Sequence, residues 1–84
     1  MKTPRQEVMI FASQMERILT VNDSKKQVHW SSCDNSYLLD RLREEIAELE
    51  YALINGDKEN IQHEACDVAN FAMMLFDNNK GDMK

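Results

Sequence analysis

The chain has 84 residues, 43% hydrophobic and 30% charged, with a formal net charge of −5. That length makes one small domain, whose lone core is marginal without a staple or a partner chain, and the composition excludes a disordered polymer. The acidic balance leaves no basic stripe to neutralise phosphates, so nucleic acid is not expected as a direct partner; an anionic substrate arriving with divalent cations stays open.

No apolar run approaches membrane-spanning length, and "MKTPRQEVMIF" lacks the continuous apolar core of a signal peptide. The expectation is a cytoplasmic protein with no membrane partner. Cys33 and Cys66 fit no CxxC or Cys/His zinc spacing and read as free thiols. Two glycines and one proline leave few breakers, which favours long helices over short strands.

In chain order, "TPRQ" opens the first helix: Thr3 as cap, Pro4 at the first helical position and Gln6 closing a capping box. Val8, Phe11, Ala12, Met15, Ile18 and Leu19 recur at helical spacing up to about Val21. "NDSKKQVHWSSCDN" then reads as a polar loop of about a dozen residues, a length often tied to function. A second helix is predicted from Asn35 or Ser36 to Ile54, with Leu38, Leu39, Leu42, Ile46, Leu49 and Leu53 as its apolar stripe. Gly56 is its expected left-handed cap, and Asp57 caps a third helix from about Lys58 to Asp77. So short a link implies an antiparallel hairpin. Residues 78–84 form the expected frayed tail of a single domain spanning 1–84.

The second helix carries Glu44, Glu45, Glu48 and Glu50, and like charges on neighbouring turns repel. At about 100° per residue from Leu42, Glu45 falls about 60° to one side and Glu48 about 120° to the same side. Glu44, near 160°, and Glu50, on the opposite flank, face solvent. The third helix repeats the spacing with Glu64 and Asp67, and Glu64 shares a face with Val68, Phe71 and Leu75. An ionised carboxylate is costly there unless paired or metal-bound. Glu48 lies eight positions before Gly56 and Glu64 eight after it, so the hairpin can turn both pairs into one cleft. Hard divalent cations resolve such crowding, and Mg²⁺ leaves room for waters and substrate phosphates. The alternative is two ordinary amphipathic helices with wet glutamates.

"EEIAE" (Glu44 to Glu48), fifteen intervening residues and "EACD" (Glu64 to Asp67) resemble the EExxE…ExxD signature of the MazG-like, all-α nucleoside triphosphate pyrophosphohydrolases. The resemblance runs from Lys25 to Leu75, through "KKQVHW", "YLLDRLREEIAELEYALINGD" and "EACDVANFAMML". It implies hydrolysis of the α–β phosphoanhydride of (deoxy)nucleoside triphosphates to monophosphate and pyrophosphate. It also implies Mg²⁺, with Mn²⁺ as substitute, held by Glu45, Glu48, Glu64 and Asp67. Glu48 is the candidate to orient or deprotonate the attacking water, with Glu44 a lesser catalytic candidate turned outward. Trp30 is a candidate for stacking on a nucleobase or, equally, for plugging a small core. Lys26 and His29, with Lys25, are candidates for phosphate contacts or a solvated loop. Asn70 matches the family's DVxN pattern and is a candidate for sugar or phosphate, while Phe71 and Met74 line the nucleoside pocket or pack the core. His63 reads as a surface residue.

The third helix is apolar on more than one face, through Ala65, Ala72 and Phe76 on one side and Cys66 and Met73 on another. Such a helix must be buried, and one hairpin with one further helix cannot bury it. The expected architecture is all-α: a three-helix chain with a central antiparallel hairpin, assembling as homodimer or homotetramer around a four-helix-bundle core. The expected function is Mg²⁺-dependent nucleotide pyrophosphohydrolysis; the rival is a non-catalytic dimerising or regulatory bundle that keeps the motif. A carboxylate-bridged di-iron bundle is disfavoured, since neither histidine has a glutamate three positions before it.

Overall fold

The computed structural model describes residues 2–25 and 28–81. Among them are three α-helices, α1 (Gln6–Asp23), α2 (Asn35–Asn55) and α3 (Lys58–Asn78), and a single 3₁₀ turn, Trp30–Ser32. No helix is long and apolar enough to cross a membrane. The predicted all-α hairpin is present.

The hairpin turn follows from its sequence. Gly56 takes the left-handed conformation (φ 71°) and donates its N–H to the Ala52 carbonyl, closing α2. Asp57 then accepts from the Asn60 N–H at 3.3 Å, satisfying one free donor at the start of α3. The register pairs residues nearly equidistant from Gly56. Arg41 lies over the ring of Phe71, fifteen positions either side, and Asn35 and Asn79 exchange side-chain hydrogen bonds at 3.2 and 2.9 Å.

Two expectations at the ends are corrected. α1 begins at Gln6 with Arg5 at its cap and no side-chain cap bond, so Thr3 and Pro4 precede the helix. Every residue from Lys2 to Gln14 is exposed, and no packing repays the ordering of an extra turn. At the other end, the supposed tail is tied down as far as Lys80. Asn78 donates to the Trp30 carbonyl at 2.9 Å, Asn79 donates to the Leu75 carbonyl at 2.8 Å, and Lys80 pairs with Asp77. The expected long loop also carries the 3₁₀ turn, which Trp30 fastens to α3 by donating Nε1–H to Asp77 at 2.9 Å.

The apolar stripe of α2 splits in two. Leu38 (1% exposed) and Ala52 are buried, and Leu42, Glu45 and Leu49 are half-buried between them. Those five positions follow heptad spacing and form the seam to α3. Leu39, Ile46 and Leu53, expected in the core, are exposed; with Leu42 and Leu49 they make a second heptad seam beside the first. α1 leans on α3, where Asn70 donates to the Met15 carbonyl at 3.3 Å, and stays clear of α2. The gap above α3 is a broad cleft.

Candidate metal and nucleotide site

The register of the hairpin assembles the acidic site. Glu45 and Glu48 stand one turn apart on α2, opposite Asp67 and Glu64 on α3. The charges of Asp67, Glu45 and Glu48 all act on Glu64, whose carboxyl is pushed up to about 7. Burial is the largest cause, since only 8% of the residue is exposed, and a hydrogen bond shared with Asp67 comes next. Glu45 is raised as well, by burial and then by the Asp67 charge, with Arg41 pulling the other way. The predicted carboxylates are therefore brought into one electrostatic neighbourhood. Glu48 is exposed at its rim.

The donor set suits a hard divalent cation. Glu64 and Asp67, together with His63, can each place one ligand atom within 4.8 Å of the others. Donors that share one ion at about 2.1 Å stand no more than about 4.2 Å apart, so a small side-chain shift closes this group onto a single ion. A cation held among these carboxylates would displace the proton that burial and the Asp67 bond keep on Glu64.

Glu44 stands apart. It is exposed and paired to Arg41, whose Nη1 lies 2.6 Å from it, and its charge is the smallest of those acting on Glu45. The helical geometry that turned it outward holds, and its candidacy as a catalytic group has no direct contact behind it. Arg41 stands out in the sequence only as the one basic residue on the two carboxylate faces, with no role in the site expected from it. It also lies 3.4 Å from Glu45, and its guanidinium sits 5.2 Å from the centre of the Phe71 ring. Its signals were present: four positions before Glu45, and the mirror of Phe71 about Gly56. His63, read as surface, is exposed yet places Nε2 3.3 Å from Asp67; spacing of i to i+4 was the available clue.

The remaining candidates line the cleft. One lobe, about 1330 Å³, is bordered by Glu45, His63, Asp67 and Arg41. The other, about 890 Å³, contains His29, Trp30, Asn70, Phe71 and Met74. Arg41, Asp67, Phe71 and Lys25 border both, so the lobes adjoin. Trp30 is half-buried, its ring stacked on His29 at 4.1 Å. With its N–H taken by Asp77 it both docks the loop and walls the second lobe. Asn70, 3% exposed, spends its N–H on Met15 and leaves Oδ1 without a protein partner. Lys26 lies outside the described residues.

Comparison with known proteins identifies the family. No curated protein and no solved structure matches the chain. A family model does, that of phosphoribosyl-ATP pyrophosphohydrolase, over residues 12–83. This is an all-α, MazG-like family of nucleotide pyrophosphohydrolases, and the match spans both acidic helices, the turn between them and the Trp30 segment. The chain belongs to the phosphoribosyl-ATP pyrophosphohydrolase family.

Proposed function

We propose that the protein hydrolyses the α–β phosphoanhydride of nucleoside or deoxynucleoside 5′-triphosphates, releasing monophosphate and pyrophosphate in a Mg²⁺-dependent reaction. The observation that carries this reading is the group of four mutually interacting carboxylates, of which Glu45 and Asp67 line a cleft large enough for a nucleotide. The family's own name points to a second substrate of the same chemistry, an ATP that carries an extra phosphoribosyl group. Both end in a triphosphate, and the acidic cluster meets the same bond in either.

Glu45, Glu48, Glu64 and Asp67 would hold Mg²⁺ or Mn²⁺. A bound ion offsets phosphate charge and lowers the pKa of a water. The residues do the rest. Glu48, exposed at the rim and free of an ion pair among the described residues, is placed to orient the attacking water or take its proton. Burial and neighbouring charges keep Glu64 ready to exchange a proton for a cation. Trp30, His29, Phe71 and Met74 line the lobe that receives the nucleoside, with the buried, unpartnered Asn70 Oδ1 behind them as a hydrogen-bond acceptor.

We propose further that the working unit is a homodimer or a higher oligomer. The chain exposes 6895 Å², against roughly 5,200 Å² for a compact monomer of its mass. The excess, about 1,700 Å² per chain, falls in the range of obligate interfaces.

The test is pyrophosphate release from a panel of canonical and damaged (deoxy)nucleoside triphosphates plus phosphoribosyl-ATP, with and without Mg²⁺. Turnover should require the metal and fall at least about 100-fold in Glu48→Gln. Release from phosphoribosyl-ATP alone reassigns the substrate. Silence across the panel from folded protein favours the non-catalytic bundle.

A further inference from the structure

Arg41 sits where the two lobes of the cleft meet, and its guanidinium is shared between two glutamates. Its guanidinium bonds one outward glutamate, Glu44 at 2.6 Å, and one inward glutamate, Glu45 at 3.4 Å. The bond to Glu44 is short and the one to Glu45 is long. The Cζ of the group lies over the Phe71 ring, 5.2 Å from its centroid, an attraction that holds the guanidinium near the ring without tying up its N–H donors. Arg41 also borders both lobes, and it is the only Lys or Arg among the described residues to pair with a carboxylate of the cluster.

Resting on the reading that the cluster binds a cation for a triphosphate, we propose that Arg41 is a two-position substrate clamp. In the free protein it lies across Glu44 and Glu45 and partly neutralises Glu45. A cation taking Glu45 competes for the same oxygens and frees the fork, which pivots on Phe71 toward the triphosphate. A planar guanidinium matches phosphate oxygens in pairs, and the bound ion repels it from the cluster. Arg41 thus opposes metal in the empty site and favours substrate in the loaded one. These opposite signs separate it from a residue that only supports the fold.

The experiment measures binding, with no turnover needed. Mn²⁺ alone is titrated by electron paramagnetic resonance into the wild-type protein, Arg41→Gln and Arg41→Lys. Then α,β-methylene-ATP, which cannot be cleaved at the scissile linkage, is titrated at saturating Mn²⁺. Arg41→Gln should bind Mn²⁺ about two- to five-fold tighter, as expected for loss of a partly exposed ion pair. It should bind the analogue about 10- to 100-fold more weakly, as for loss of charge-assisted bonds. Arg41→Lys keeps the charge and most of the stem, guards against a variant that fails to fold, and should lose analogue affinity while Mn²⁺ affinity stays near wild type. Unchanged analogue binding in both variants, or weaker Mn²⁺ binding in Arg41→Gln, overturns the clamp while the cation site stands. Absence of Mn²⁺ binding by wild-type protein overturns the site and the clamp together.

Discussion

Glu64 carries most of the tension in this molecule. It is a carboxyl raised to about 7 by burial, by a bond shared with Asp67 and by three neighbouring negative charges. An acid whose folded pKa is raised binds its proton more tightly in the native state, so the stabilising contribution is full below the unfolded value of 4.5 and disappears as pH rises through about 7. Glu45 is shifted in the same sense. Metal-free protein should therefore lose on the order of 3 kcal/mol between about pH 4.5 and pH 7, seen as a falling Tm, and Mg²⁺ at pH 8 should restore it. Glu64→Gln imitates the protonated acid: it should flatten the Tm profile in that window, raise metal-free stability at pH 8 and abolish the Mg²⁺-induced rise. A Tm profile identical to wild type in this variant would show that the proton resides elsewhere. The sequence located Glu64 on an apolar face, but helical angles alone supply neither burial nor the charges reaching it from α2.

The hairpin turn is the element that sets the site, because moving its register by one residue rotates each carboxylate by about 100°. Gly56 has open space where a Cβ would stand, yet its φ of 71° disfavours any other residue. Gly56→Ala should cost about 1 kcal/mol in chemical denaturation while leaving the fold intact, since strain and not collision opposes it. Asp57→Ala should cost about the same through the lost cap. The Trp30 turn is a weaker element. It is held by the Asp77 and Asn78 side chains, and Trp30→Phe, which keeps the ring but loses the Nε1–H donor, should loosen the 28–34 segment to faster amide exchange before it changes the Tm. The sequence marked both helices and the turn through Gly56 and Asp57, whose roles are local. It missed the docking of Trp30, which depends on residues 47 and 48 positions away.

Taken whole, the chain buries little of its apolar inventory. Leu38, Ala52 and Cys66 are its buried hydrophobic residues among those described, while Ile54 is 83% and Leu53 56% exposed. A second heptad seam on α2 (Leu39, Leu42, Ile46, Leu49, Leu53) runs beside the one used by α3, and paired seams are how two hairpins share one four-helix core. In sedimentation equilibrium the protein should run as a dimer or tetramer at micromolar concentration. Leu53→Asp, on the exposed seam of α2, should shift it toward monomer and lower its Tm together. A wild-type species of 9.8 kDa at tens of micromolar would remove the assembly from the account.

Local chemistry was enough for part of this. Helical period, the Gly-Asp turn and the mirrored spacing of Glu48 and Glu64 define the hairpin and which carboxylates share it, because each depends on neighbours within a few residues. Only the tertiary structure decided that Glu45 sits in the α3 seam while Ile46 and Leu53 do not, and that Arg41 bridges Glu44, Glu45 and Phe71. It also decided that Trp30 belongs to the end of α3. Those outcomes rest on which faces of α1, α2 and α3 meet, and side-chain contacts between distant segments follow from packing, not from period.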